Sequence, residues 1–559
     1  MGDWKKQLGT VKRRLVAWAE TRRVLEKAQQ KRGVIPRGTQ KPRPVSEAPV
    51  SSKSGVPKAP PSSRLITTPG RRSIYEYPSV HDRLPKEPPY GGQVFNIGVD
   101  FGTSMTKVCV RQALGEGEDI PIVPLSLGRS PLCRSLVGIA GGRVYFGEEA
   151  EQQHASATTL LPYLKACLAC EAERETPPLA ACGLTKDLGP DCHGEFSHGN
   201  GGPDRIWASD AATLYLAWAM GQARQNVPRK LLGRTQVGFT YNLGVPLDQL
   251  DRDTALLRKY REIAFRAWRL SEGIIQGIPI NRALSWIGAI RDVPAPPPER
   301  NPVQLCGETG AAIVSCALSP NMPSGLYGLV DVGAWTTDIS FFRLTDPSNS
   351  VHGRHELAFY GARTHRIAVN DLDGRSLHGI RDLWELEEDA TQLASMAITP
   401  SALREQREQG AFGAVEFKVK NYNKKPAPPV LDYARACVAE RLLMRFHSTL
   451  KEASEKEKQA KAWEGFLVYV MGGGVHEPTL WTDWADRTPV VGSLEPLPFG
   501  SLALDLNKDL SGRFPVAVGL AYPLGMWPKV LLPSQVAPTG PFFPTRELPT
   551  SEECGYDEK

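Results

Sequence analysis

The chain has 559 residues, 41% of them hydrophobic, and 67 Lys/Arg against 61 Asp/Glu give a net charge of +6. That length allows two or three domains and a sizeable core. No run of about 18 apolar residues occurs, so a membrane-spanning helix is not expected, and ten cysteines in so long a chain do not read as a disulfide framework.

The charge is uneven. Residues 1–92 hold 20 Lys/Arg against 7 Asp/Glu, a net of +13, so residues 93–559 carry −7. Trp4, Leu8, Val11, Leu15, Trp18, Val24 and Leu25 fall on one face of a basic amphipathic helix over 1–33, which Gly33 and Pro36 stop. Such a helix suits docking to a protein partner, an acidic surface or a membrane face. The other reading is a solvated appendage. Residues 34–92 are rich in Pro and Ser and read as a flexible linker. The acidic body gives no indication of nucleic-acid binding. The N-terminus lacks the apolar core of a secretory signal, and neither end carries a lipidation motif, so the cytoplasm is the expected compartment.

The folded body is expected to begin near Gln93. Apolar runs predict strands at 94–100, 106–112 and 144–147, helices at 211–225 and 253–270, and a buried strand at 236–245 between them. A second set of strands is predicted at 327–332, 337–343 and 355–361, followed by a long helix over 431–458. Beyond Pro523 the chain turns Pro-rich, and 531–559 is an acidic tail.

Two stretches of this body repeat each other. Ile97-Gly98-Val99-Asp100-Phe101-Gly102-Thr103-Ser104-Met105-Thr106-Lys107 and Leu329-Val330-Asp331-Val332-Gly333-Ala334-Trp335-Thr336-Thr337-Asp338 coincide at Val99/Val330, Asp100/Asp331, Gly102/Gly333 and Thr106/Thr337. Each is an apolar strand, an acidic residue, a glycine turn and a second strand. Such a turn directs backbone N–H groups at an anion, and the aspartate suits a hydrated divalent cation. Cys167-x-x-Cys170 with Cys182 and Cys192 has a spacing open to two readings: a small zinc clasp, or buried free thiols.

The paired turns resemble the two phosphate motifs of the actin and 70-kDa heat-shock-protein ATPase superfamily. Phe466 to Pro478, with Gly472, Gly473 and Gly474, resembles the adenosine motif. Gly307-Glu308-Thr309-Gly310-Ala311-Ala312 and Phe514 to Ala521 resemble the two connecting helices. The resemblance implies an α/β, duplicated RNase H-like (actin-like) fold with two lobes around a nucleotide cleft. Lobe I would be 93–326, completed by 512–530, and lobe II 327–511. It implies ATP and Mg²⁺ as ligands, the cation held through water by Asp100 and Asp331. Gly102, Thr103, Ser104 and Lys107 would meet the phosphates from one side, and Gly333, Ala334, Trp335, Thr336 and Asp338 from the other. Glu308 would orient the attacking water, and Lys165 lies where the chaperones place a second lysine. Ala334 and Trp335 replace loop glycines, which implies slow hydrolysis, and Ala368-Val369 replace a glycine pair in a later turn. Too few residues follow Pro523 for a peptide-binding domain. The function implied is an ATP-dependent conformational switch that engages a partner. A filament former of bacterial-actin type is the alternative, and a small-molecule kinase ranks behind both.

Overall fold

The computed structural model describes residues 84–88, 93–113, 120–153, 159–173, 193–197, 203–232, 237–318, 322–350, 355–369, 428–476, 480–498 and 512–538. The helix expected over 1–33, most of the expected linker, the turn expected after Val369 and the acidic end of the tail lie outside these residues. The chain is α/β with mixed sheets.

The first half opens with β1 (Gln93–Phe101), β2 (Met105–Gln112), β3 (Val123–Leu125) and the short β4 (Cys133–Arg134). β5 (Val137–Ala140), β6 (Arg143–Phe146) and β7 (Thr159–Leu161) follow, then the ribbon of β8 (His193–Ser197) and β9 (Pro203–Trp207). β10 (Val237–Val245), β11 (Ile278–Pro279) and β12 (Val303–Gly307) complete this half. The main sheet runs β12-β10-β1-β2-β3, and a smaller one runs β11-β6-β5-β7. β1 carries Phe95, Ile97, Val99 and Phe101 at 0% exposure on one face, while Asn96, Gly98 and Asp100 on the other face are covered too, as a central strand of a sheet packed on both sides requires.

The second half contains β13 (Gly325–Val332), β14 (Thr337–Thr345), β15 (Glu356–His365), β16 (Phe466–Met471), β17 (Val491–Pro496) and β18 (Lys529–Leu531). Its order is β17-β16-β13-β14-β15-β18. In both sheets the first two strands pair antiparallel, the third continues that meander, and two later strands add in parallel on the opposite side. The same five-strand pattern therefore occurs twice.

Parallel additions need crossovers, and helices provide them. Ala208–Gln225, buried almost all round, precedes β10, and Pro428–Lys456 precedes β16. The predicted helix at 253–270 begins instead at Ala255. Thr254 caps it by accepting the Leu257 N–H, and Asp253 at φ +44° separates it from a short helix over Leu247–Arg252.

The helices after β12 (Glu308–Ala317) and after β17 (Pro515–Ala521) cross between the halves. Small residues permit the crossing: a Cβ on Gly519 would lie 1.7 Å from the Ala311 carbonyl oxygen. The Pro515–Ala521 helix packs on β1, where a Cβ on Gly98 would meet the Ala521 nitrogen at 2.4 Å. Its final carbonyls have no partner within the helix. Asn96 and Asn242, buried on neighbouring strands, donate to the Leu520 oxygen at 2.9 and 2.8 Å. Segment 512–530 thus divides between the halves, because Lys529–Leu531 pairs with β15 of the second sheet. No helix among the described residues is long and apolar enough to cross a membrane.

Candidate functional site

The two repeated turns share their construction. A Cβ on Gly102 would lie 2.3 Å from the Met105 carbonyl oxygen, and one on Gly333 would lie 2.8 Å from that of Thr336, three residues on in each case. Both glycines are therefore required by close backbone approach. Thr106 and Thr337 are each fully buried and tie their turn to a following loop. Thr106 shares a 2.9 Å hydrogen bond with the Ser135 hydroxyl, and Thr337 donates to the Ile367 carbonyl at 2.6 Å. Ser135 also donates to the Gly102 carbonyl at 2.6 Å. In the first turn Thr103 is buried, and the buried Ser104 hydroxyl has no partner.

The third glycine motif joins the second turn because β16 pairs in parallel with β13, setting Met471 beside Asp331. Gly472 has φ +84°, and a Cβ there would lie 2.1 Å from Asp331 Oδ1. Gly474 leaves no room either, since its Cβ would meet that of Val332 at 2.4 Å, whereas Gly473 faces open space.

The register sets Asp100 opposite Lys107 but Asp331 opposite Asp338. Lys107 Nζ lies 2.5 Å from Asp100 Oδ2, and Lys165 Nζ lies 2.5 Å from Glu308 Oε1. Glu308 opens its helix, next to a β10 strand end where a Cβ on Gly244 would meet Glu308 Cγ at 2.9 Å. Asp331 and Asp338 have no lysine directly opposite.

Burial raises the Asp331 carboxyl to about 7, Lys107 opposing it and Asp100 and Glu308 adding to it. Burial raises Asp338 to about 8, reinforced by Glu308 and Asp331 and opposed by Lys165 and by the Thr364 hydroxyl, which donates to Oδ1 at 2.5 Å. Burial also raises Glu308 against the pull of Lys165. It would lower the Lys165 ammonium, but Glu308 and its neighbours hold that group protonated.

A pH dependence follows. Between about pH 4 and pH 8 the folded, ligand-free chain binds more protons at Asp331 and Asp338 than the unfolded chain does, so stability falls as pH rises through that window. Asp338→Asn is expected to stabilise the nucleotide-free protein at pH 8 by roughly 1–3 kcal/mol and to leave it little changed near pH 4. Urea denaturation at the two pH values measures this.

Trp335 occupies the loop without pointing into solvent. Its ring is half-buried against the hydrophobic core of the first half, with its centroid 6.0 Å from that of Tyr163 and the planes inclined by 30°. Tyr163 is 2% exposed and has φ +57°, a conformation that costs an aromatic residue on the order of 1–3 kcal/mol.

Of the four cysteines in the possible zinc clasp, one has a side chain among the described residues. Cys167 is buried, its thiol donating to the Pro162 carbonyl at 3.7 Å, while Cys182, Cys192 and the side chain of Cys170 lie outside the described residues. Among the described residues no group of three or more His, Cys, Asp or Glu side chains is arranged to hold a metal directly.

The structure brings Asp100, Lys107, Glu308, Asp331 and Asp338 into one electrostatically connected centre, with the glycines at 102, 333 and 472 shaping its backbone. Lys165 belongs to it as well. Sequence reasoning missed Gly244, Thr364, Ser135 and Tyr163, all of which act through contacts far along the chain. No protein-family model matches the chain, and no curated protein matches it either.

Proposed function

We propose that the chain is an ATP-binding conformational switch with the duplicated fold of the actin and 70-kDa heat-shock-protein superfamily. The observation that carries this reading is the same aspartate-and-glycine turn placed at the same point of two sheets with the same strand pattern. The centre fits a nucleotide phosphate tail with a cation: a buried Ser104 hydroxyl lacks a partner, backbone glycines crowd the turns, and four carboxylates outnumber two lysines.

Gly102, Thr103 and Ser104 would offer N–H and hydroxyl donors to phosphate, and Lys107 a positive charge. Ala334, Trp335 and Thr336 would contribute backbone from the other turn. Gly472, Gly473 and Gly474 would let a base and sugar approach backbone. Asp100, Asp331 and Asp338 would hold Mg²⁺ through its water shell. When bound, that cation neutralises phosphate charge. Glu308 would orient a water, and its ion pair with Lys165 would restrain it as a base. Turnover is accordingly slow. The basic N-terminal segment is the proposed contact for a protein partner, in the cytoplasm.

Titration calorimetry tests this reading. MgATP is expected to bind with a dissociation constant at or below about 10 μM, weakening at least tenfold when EDTA removes the cation, with turnover below about 1 per second. Absence of MgATP binding to the intact chain would overturn the reading. Pelleting with MgATP would favour the filament instead.

A further inference from the structure

The contact between Trp335 and Tyr163 joins two parts of the chain that the strand pattern does not connect. Trp335 stands on the turn between β13 and β14 of the second half. Tyr163 stands between β7 and the helix Leu164–Glu173, in the smaller unit attached to the first half. Two residues beyond Tyr163, Lys165 reaches Glu308 at 2.5 Å. One short segment thus carries an aromatic contact to the second phosphate turn and an ion pair to the connecting helix. Its backbone is held at Tyr163 in the left-handed region, which an aromatic residue occupies only when its surroundings fix it there. Trp335 is half-buried against the core to which Tyr163 belongs, so moving the turn away from that core exposes both rings.

We propose that the Trp335–Tyr163 ring contact is a clasp that holds the second phosphate turn against the first half and sets the rate at which nucleotide leaves. The inference rests on the ATP-binding reading above. The clasp gives Trp335 a role that the loop glycine it replaces cannot fill. Closure is maintained by the protein's own aromatic surface, and nucleotide release waits for the rings to part.

The test measures release of a fluorescent ATP analogue, chased with excess ATP, from the full-length protein. The variants are Trp335→Gly, Tyr163→Gly, the pair together, and Trp335→Phe. Glycine suits both positions: it restores a phosphate-loop residue at 335 and removes the strain of φ +57° at 163. Each single glycine variant is expected to release nucleotide about tenfold faster, an aromatic pair of this kind being worth that factor. The double variant should be no faster than either single one, because both remove the same contact. Trp335→Phe should recover most of the slow release. Additive acceleration, or release unchanged in Trp335→Gly while the wild type binds MgATP, would overturn the clasp and leave the nucleotide site standing. A wild type that binds no MgATP removes the reading beneath it. Amide hydrogen exchange on the nucleotide-free protein supplies the second measurement: protection of 161–167 should fall in Trp335→Gly and persist in Trp335→Phe, and equal protection in both overturns the clasp.

Discussion

Gly519→Ala is expected to destabilise the folded body by about 3–5 kcal/mol, lowering its urea midpoint or leaving the protein insoluble. The new methyl group would sit 1.7 Å from the Ala311 carbonyl oxygen. That neighbour is backbone of a crossing helix, so no side-chain rotation relieves the clash. Parting the helices would also pull Pro515–Ala521 off β1, where Gly98 allows no gap. Gly310→Ala is the matched control. Its Cβ would meet only the Trp527 ring, at 3.7 Å, an ordinary contact. Replacing a helical glycine there should be neutral or stabilise by up to about 1 kcal/mol. Equal midpoints for the two variants would contradict the crossing.

Asp331→Ala should weaken MgATP binding at least a hundredfold, about 2.7 kcal/mol, while leaving the protein folded. Asp331 lies on β13 between two other strands: opposite Asp338 of β14 in register, and beside Met471 of β16, whose following residue Gly472 lies against its carboxylate. Its removal takes one of the proposed cation-facing carboxylates and relieves repulsion in the empty site. Stability should therefore rise at pH 8 as affinity collapses, a combination that a merely misfolded variant cannot give. Because Asp331 and Asp338 hold protons near neutrality, cation binding in the wild type should release protons. Affinity should then be higher at pH 8.5 than at pH 6.5, with an observed heat that depends on the buffer. Calorimetry in phosphate and in Tris reads both effects. Unchanged affinity in Asp331→Ala would remove that residue from the site.

The α/β class and most element positions were legible because they depend on local patterns. The apolar run into Asp100 and the Gly-containing turns specify strands and bends within a few residues of sequence. Helix starts were less legible. Thr254 and Asp253 divide one apolar stretch into two helices through a cap and a left-handed residue, and neither alters hydrophobic periodicity. The candidate site was half legible. Residues on the turns announce themselves by spacing, but partnerships do not. Lys165 and Glu308 are 143 positions apart, and only the folded chain shows that their charges meet. Gly244 is needed for the space that the Glu308 side chain fills, and Thr364 for a hydrogen bond to Asp338. Such needs arise from packing between distant segments and leave no local signature. Trp335 was visible as a departure from a glycine loop, yet its destination against Tyr163 was not.

The asparagines that receive the Pro515–Ala521 helix have a consequence for biosynthesis. Asn96 and the Leu520 carbonyl it binds are 424 residues apart. A ribosome adding about 5–20 residues per second delivers the helix roughly 20–80 s after β1 has emerged. During that interval the face of the first sheet that the helix will cover stays open, with Asn96 and Asn242 lacking the carbonyls they bind in the finished molecule. The covering of the first sheet is thus completed only late in translation. A nascent chain halted near residue 510 would leave that face, with both asparagines, uncovered for as long as the stall lasts.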